Sequence, residues 1–161
     1  MRNFDVKIVS EEIEKLCMNA NFYIPKDVMN SLVDSLEKEE SPVAKDILSQ
    51  IIENDKLAQE NLVPMCQDTG LTVVFLEIGR DVHLNGDIYE AINTGVKNGY
   101  EKGYLRKSIV QDPFNRVNTK DNTPAIIHTK IVDGDKIKIV VAPKGGGSEN
   151  MSTVKMMKPS D

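Results

Sequence analysis

The sequence contains no tryptophan and only two cysteines, two histidines, four tyrosines and four phenylalanines among its 161 residues. Two cysteines in dissimilar surroundings, Cys17 and Cys66, do not form a disulfide framework, and we expect a cytoplasmic protein. Its amino terminus also lacks the apolar core of a signal peptide. The histidines, His83 and His128, have no second ligand at metal spacing, which favours surface or structural roles for them.

Long apolar runs and an excess of basic charge are also missing. No run approaches 18 residues, so we expect no membrane span. With 20 Lys and Arg against 25 Asp and Glu, the formal net charge is −5. Because the lysines are scattered among carboxylates, we expect no nucleic-acid partner. A hydrophobic content of 40% and a charged content of 28% are typical of a globular domain, and the length predicts one domain over residues 1–161.

Residues 1–62 are predicted to be mainly helical, because apolar residues recur at spacings of three and four. One stripe runs from Val6 to Ala20 and a second from Val28 to Leu36. Ser41 and Pro42 predict the cap and first turn of a third helix that reaches Ile52. A short fourth helix is predicted over 55–61. We expect this bundle to be structural and to include a possible subunit contact.

Residues 63–161 are predicted to be mixed α/β. A buried strand is expected over 71–78, a helix over 86–104, and strands over 125–132 and 136–142. The turn Asp133-Gly134-Asp135 predicts that the last two strands form a β-hairpin. The predicted fold class is therefore α+β, with amino-terminal helices followed by a mixed sheet that contains a hairpin and has flanking helices.

The heptapeptide Pro64-Met65-Cys66-Gln67-Asp68-Thr69-Gly70 concentrates a thiol, an amide, a carboxylate and a hydroxyl before a glycine. A thiolate is a ligand for soft metals and iron-sulfur clusters. The polar neighbours can hydrogen-bond or exchange protons with whatever the metal holds. A cysteine in such a protein is also commonly a small buried hydrophobe. Composition alone favours that second interpretation.

Two further segments are candidates for anion binding. The glycines of Lys144-Gly145-Gly146-Gly147-Ser148 follow a predicted strand and precede a helix-like segment, so their amides suit an anion, or form only a tight turn. Arg106 lies just past a helix end, where it either grips an anion or is simply solvated. Arg116 either serves the same anion or braces its loop. Asp121–Pro124 is interpreted as a scaffold turn.

Three segments together resemble the class I, iron-sulfur-dependent fumarase family, which includes two-subunit tartrate dehydratases. They are Cys66-Gln67-Asp68-Thr69-Gly70; Arg106-Lys107-Ser108 continuing to Asp121-Asn122-Thr123-Pro124-Ala125; and Lys144-Gly145-Gly146-Gly147-Ser148-Glu149-Asn150-Met151-Ser152. Their order and approximate spacing match the family from about residue 10 onward. The resemblance implies a hydro-lyase that interconverts fumarate and L-malate.

The resemblance also implies site roles. Cys66 would be a ligand of a 4Fe-4S cluster, and Gln67 and Asp68 would contact the substrate, with Asp68 as the catalytic residue. Arg106 with Gly146 and Gly147 would bind the carboxylates of a small dicarboxylate. A beta subunit or carboxy-terminal domain of the same enzyme would complete the site, and an oligomer is expected.

The sequence departs from the family pattern in its cysteines. Family members hold the cluster through three cysteines, whereas only Cys66 here lies in a ligand motif, and Cys17 is expected to pack in the core. We therefore expect the amino-terminal part of an alpha subunit that is inactive as these 161 residues alone. The alternatives are an L-tartrate dehydratase alpha subunit and a truncated, non-catalytic subunit-association protein.

Overall fold

The computed structural model of the chain describes residues 1–147 and 151–160. Within them it has four helices and five strands, which confirms the α+β class. The elements are β1 (Arg2–Phe4), α1 (Val6–Phe22), α2 (Lys26–Lys38), α3 (Pro42–Asn61), β2 (Leu71–Gly79), β3 (Val82–Leu84), α4 (Ile88–Lys102), β4 (Ile126–Val132) and β5 (Ile137–Lys144). None of the helices in these residues is long and apolar enough to cross a bilayer.

The core lies between the helix pair α1 and α4 and one face of the sheet formed by β4, β2 and β5. Helix α1 supplies Val9, Ile13 and Cys17, which are spaced by four residues as the predicted stripe requires. Both helices begin at an aspartate whose side chain accepts hydrogen bonds from first-turn amides, Asp5 for α1 and Asp87 for α4. Strand β2 contributes Val74, Leu76 and Ile78, and α4 contributes Ile92, Val96 and Tyr100.

Gly95 explains how closely α1 and α4 approach. A Cβ atom at this position would lie 2.5 Å from the backbone oxygen of Ser10 on α1. Glycine is a poor helix former, and here the lack of a side chain permits contact between helix backbones.

The predicted β-hairpin is wrong. The three strands are ordered β4-β2-β5, so β2 lies between the two strands that were expected to pair. It pairs with β4 in parallel and with β5 in antiparallel orientation. The segment 133–136 crosses the end of β2, where the amide of Gly79 donates to Lys136 O at 2.8 Å and that of Asp81 donates to Gly134 O at 3.0 Å. A buried apolar strand with two free edges thus displaced the local pairing that Asp-Gly favours.

The helices also differ from the sequence expectation in one place. Helix α3 runs without a break from Pro42 to Asn61, so the predicted separate helix over 55–61 is wrong. Asp55 does not interrupt it because it lies on the inner face, with only 6% of its surface exposed. The parallel pairing of β1 with β3 was not predicted, since strands of three residues carry too little periodicity. The helix-like segment expected after Gly147 begins in residues outside the described part of the chain.

The pair α2 and α3 is much less buried than the rest of the fold. No residue of α2 is buried. Val43, Ile47 and Ile51 form an apolar row along α3 and remain 70%, 53% and 41% exposed. This pair therefore carries a large apolar surface on the described chain.

Candidate active site at one edge of the sheet

The topology gathers the three motifs at one edge of the sheet. Strand β2 starts at Leu71, directly after the Cys66–Gly70 motif, and β5 ends at Lys144, directly before the glycines. Leu71 is the residue opposite Lys144 in the antiparallel register. Strand β4 is parallel to β2 and starts just after the turn Asp121–Pro124. Segments that are far apart in sequence are thus adjacent in space.

Asp68 joins the cysteine motif to the glycine loop. One carboxylate oxygen accepts the amide of Gly70 at 3.2 Å, and the other accepts the amide of Gly146 at 3.0 Å. Gly70 has φ +63°, and a Cβ there would lie 2.2 Å from the backbone oxygen of Lys144. Only glycine allows this backbone conformation and this close approach together.

Thr69 fixes the motif to the segment that carries Arg106. Its hydroxyl donates to the backbone oxygen of Arg106 at 2.8 Å, and Thr69 is 2% exposed. On the other side, the hydroxyl of Tyr100 on α4 donates to the backbone oxygen of Thr69 at 2.8 Å. Burial raises the pKa of Tyr100 to about 12, so the phenol stays a donor at physiological pH.

Asn122 makes a second connection that the sequence did not reveal. Its side-chain oxygen accepts the amides of Ser108 and Ile109 at 2.6 and 3.2 Å, and its side-chain nitrogen donates to Gly70 O at 3.1 Å. The residue is fully buried and has φ +61°, a left-handed conformation that asparagine tolerates. The sequence signalled a turn at this position, but it did not signal which segments the side chain joins.

A cavity of about 550 Å³ opens between these segments. Its charged wall residues are Asp68, Arg106, Arg116 and Lys144, and Ser108, Gly145 and Gly146 lie beside them. The guanidinium groups of Arg106 and Arg116 form no ion pair with another described residue, whereas the Lys144 ammonium donates to Gly145 O. Because Arg106 and Arg116 bring two guanidinium groups to the part of the wall that the structure describes, this cavity is suited to an anion.

A neighbouring cavity of about 340 Å³ holds the thiol. It is lined by Pro64, Cys66, Gln67, Thr69, Tyr104 and Arg106. Cys66 is exposed, its thiol donates to the Gln67 side-chain oxygen at 3.4 Å, and the Asp68 amide donates to its sulfur at 3.5 Å. Arg106 lines both cavities, so it is the shared wall between the thiol and the anion-binding residues.

The donor set around the thiol is small. No group of three His, Cys, Asp or Glu side chains suited to a metal ion occurs among the residues that the structure describes. Cys17 is buried in the core, as expected, and burial raises the pKa of its thiol to about 12, which disfavours the thiolate that binds metals. Among the described residues, Cys66 is therefore the thiol accessible to a cluster.

The other residues that the sequence singled out do not all line these two cavities. Gln67 lines the thiol cavity and Gly146 the anion cavity, but Gly147 lines neither among the described residues. A Cβ at Gly146 or Gly147 would meet no atom of the described residues within 4 Å. His128 stacks on Phe75, with ring centroids 5.2 Å apart, on the outer face of the sheet.

These observations define an α+β domain in which an exposed thiol adjoins a cationic, glycine-walled cavity. Residues 10–161 match the family model described as fumarate hydratase (Fumerase). The chain belongs to the class I fumarate hydratase family, whose named relatives here are hydratases and dehydratases.

Individual relatives agree with this assignment. The chain is 41% identical over 160 residues to a putative L(+)-tartrate dehydratase subunit alpha of Methanocaldococcus jannaschii, covering 95% of this chain and 56% of that protein. It is 36% identical over 116 residues to the anaerobic class I fumarate hydratase of Escherichia coli K12, covering 71% and 21%. It is 30% identical over 142 residues to an Escherichia coli L(+)-tartrate dehydratase subunit alpha, covering 86% and 46%. The chain thus spans about half the length, or less, of these relatives.

Proposed function

We propose that this chain forms the amino-terminal part of the alpha subunit of a hydro-lyase that reversibly hydrates fumarate to L-malate. The observation that carries the proposal is the position of Arg106, which lines both the cavity of Cys66 and the cavity of Asp68 and the glycine loop. A dicarboxylate held by this arginine would lie beside the thiol on one side and the carboxylate on the other. An L-tartrate dehydratase subunit is the alternative within the same chemistry, supported by relatives with that name.

The residues of this chain would bind and orient the substrate. Arg106 suits a carboxylate because its planar guanidinium donates two parallel hydrogen bonds. Asp68, held by the amides of Gly70 and Gly146, would contact the substrate and exchange a proton with its hydroxyl or with water. Gln67 would add a hydrogen bond from the thiol side, and Gly146 and Gly147 would let the backbone approach a carboxylate closely.

Class I fumarate hydratases generally depend on an iron-sulfur cluster, here proposed to be 4Fe-4S, and Cys66 is the one residue described here that fits it. A bound cluster with an open iron would supply Lewis-acid chemistry to the substrate. Since a cluster takes several thiolates, its other ligands would come from outside these residues. We propose that a beta subunit or a carboxy-terminal domain completes the site, consistent with relatives named as alpha subunits, and that the assembly is an oligomer in the cytoplasm.

The substrate role is tested by Arg106→Lys in the complete enzyme, meaning this chain with the remaining family segments and any partner subunit. Lysine keeps the charge but loses the paired hydrogen bonds, so kcat/KM for fumarate should fall by about 10- to 100-fold, or roughly 1.5–3 kcal/mol. Arg80→Lys is the matched control, because Arg80 pairs with Asp133 at the opposite end of β2. Tartrate dehydration measured in parallel identifies the substrate.

Wild-type kcat/KM in Arg106→Lys would remove this residue from the site. Full activity toward tartrate with none toward fumarate would show that tartrate, and not fumarate, is the substrate.

The cluster role is tested by replacing each cysteine in the same enzyme. Cys66→Ser should lose iron and turnover, whereas Cys17→Ser should cost only about 1 kcal/mol of stability, because Cys17 is a small buried side chain. Equal loss of iron from both variants would contradict the ligand assignment.

A non-catalytic subunit-association protein is the second candidate. The exposed apolar row of Val43, Ile47 and Ile51 beside an unburied α2 supports it. Anaerobic reconstitution of the 161 residues with iron and sulfide can exclude this candidate but cannot establish it. A stable stoichiometric cluster would exclude the non-catalytic reading, whereas failure to bind a cluster is expected of the chain alone under both candidates.

A further inference from the structure

Buried side chains hold the segment Arg106–Ile109 on each side of Lys107, and the amide of Thr119 also donates to Ile109 O at 2.9 Å. At its start, the Thr69 hydroxyl donates to the backbone oxygen of Arg106 at 2.8 Å. Two residues later, the side-chain oxygen of Asn122 accepts the amide of Ser108 at 2.6 Å and then that of Ile109 at 3.2 Å. The backbone of the arginine therefore has little freedom, although its guanidinium lies exposed in the cavity.

The other end of the Asn122 side chain reaches the cysteine motif. Its nitrogen donates to the backbone oxygen of Gly70 at 3.1 Å. Gly70 in turn donates its amide to the Asp68 carboxylate, which also accepts Gly146. One buried amide group thus joins the segment that presents Arg106 to the turn that presents Asp68.

We propose that Asn122 is a positioning residue that sets the distance between the Arg106 guanidinium and the Asp68 carboxylate. The inference rests on the proposed function, because it takes the substrate carboxylate to be what Arg106 binds. Asparagine suits the role for two reasons. It has one acceptor and one donor at the ends of a short rigid group, and it tolerates the left-handed backbone that points this group inward.

Neighbouring residues do not replace this connection. Asp121 uses its carboxylate locally, accepting the amide and hydroxyl of Thr123 at 3.1 and 2.8 Å. Asn118 donates to Lys107 O at 3.0 Å from an exposed position. Among the described residues, the side chain that contacts both the 108–109 amides and Gly70 is Asn122.

Two substitutions separate the parts of this connection. Asn122→Gly keeps a backbone with φ +61° unstrained while deleting all three hydrogen bonds. Asn122→Asp keeps the acceptor for Ser108 and Ile109 and loses the donor to Gly70. Lys120→Gly is the matched control, since Lys120 also has positive φ, at 68°, but is exposed and lies outside this connection.

The first measurement is amide hydrogen exchange in the wild-type chain and its variants. Exchange at Ser108 and Ile109 should be about 10-fold faster in Asn122→Gly, because both amides lose their acceptor, and unchanged in Asn122→Asp and Lys120→Gly. This measurement depends on neither a cluster nor a substrate.

The second measurement is steady-state kinetics of the complete enzyme with fumarate, which shows whether a substitution changes KM or kcat. If Arg106 is displaced, Asn122→Gly should raise KM about 10-fold at full cluster absorbance, Asn122→Asp should also raise KM because it loses the donor to Gly70, and Lys120→Gly should stay within about threefold of wild type. A merely structural role would lower kcat through loss of folded enzyme and leave KM unchanged, and that result would overturn the inference.

Failure of the proposed function would be recognised separately. A wild-type complete enzyme that acts on neither fumarate nor tartrate would overturn the function, while exchange would still decide whether Asn122 anchors the segment. Wild-type protection of Ser108 and Ile109 in Asn122→Gly would overturn the inference whatever the activity.

Discussion

Helices α1 and α2 have similar apolar stripes in sequence but very different surroundings in the fold. Helix α1 buries Val9, Ile13 and Cys17 against α4 and the sheet, and each is at most 1% exposed. Helix α2 buries no residue, and its partner α3 leaves Val43 70% exposed. Periodicity therefore shows which face of a helix is apolar, whereas burial depends on what the rest of the fold places against that face.

The largest loss of stability is expected when a core side chain of α1 is shortened. Ile13→Ala should destabilise the chain by about 2–5 kcal/mol, because Ile13 is fully buried and the packed helices cannot close the cavity. Chemical denaturation measures this difference. A loss below about 1 kcal/mol would show that α1 and α4 are packed more loosely than the structure indicates.

Adding volume should have the next largest effect. Gly95→Leu should cost about 1–3 kcal/mol or more, since its Cβ would lie 2.5 Å from Ser10 O and the two helices would have to separate. Asn30→Leu on the exposed surface of α2 is the control and should stay within about 0.5 kcal/mol. Thermal unfolding of the two variants together tests the comparison, and equal shifts in Tm would refute it.

Alkaline pH should destabilise the folded chain through the buried thiol of Cys17 on α1. Burial raises the pKa of Cys17 from 9.0 to about 12, so the folded chain keeps a proton that the unfolded chain releases. The resulting stability is fully present below pH 9 and is lost as pH rises toward 12, with a loss on the order of 1 kcal/mol between pH 8 and pH 10. Tyr100, with a pKa raised to about 12, adds to the decline above pH 10.

The control for this pH effect is Cys17→Ala, whose free energy of unfolding should be lower at pH 8 but should fall less steeply to pH 10. Parallel declines in the two proteins would show that Cys17 does not cause the loss.

The smallest effect is expected on α3. Ile47→Ala should change stability by no more than about 0.5 kcal/mol in the isolated chain, because the side chain is already 53% exposed. A loss of 2 kcal/mol or more that depends on protein concentration would instead show that this surface is covered by another molecule.

The sequence predicted the parts of the fold that depend on local pattern. The stripe of α1 and the Ser41-Pro42 start of α3 follow from spacing and capping, and both occur. The hairpin prediction failed because the sequence Asp133–Asp135 indicates only a tight turn. Strand pairing was instead decided by β2, which lies more than fifty residues earlier in the chain. The sequence of a short segment does not show whether a strand from elsewhere in the chain will pair with it instead.

The candidate site likewise combines residues that the local sequence identified with long-range contacts that it did not identify. Cys66, Asp68, Arg106 and the glycines were identified from motif chemistry and family resemblance, and their roles stay predictions. Thr69 and Asn122 were not singled out as contacts, because their side chains act on backbone atoms 37 and 52 residues away in sequence. Residue type shows that these side chains can hydrogen-bond, whereas the sheet topology decides which backbone atoms they reach.

The register between β2 and β5 limits how the chain can change length. Leu71 lies opposite Lys144, and the glycine loop follows at once. Inserting two residues into β5 would preserve the alternation of its faces, and hence the core, yet would carry the glycines roughly 6.6 Å beyond Asp68. Insertions within this strand would therefore keep the core but separate the two halves of the site.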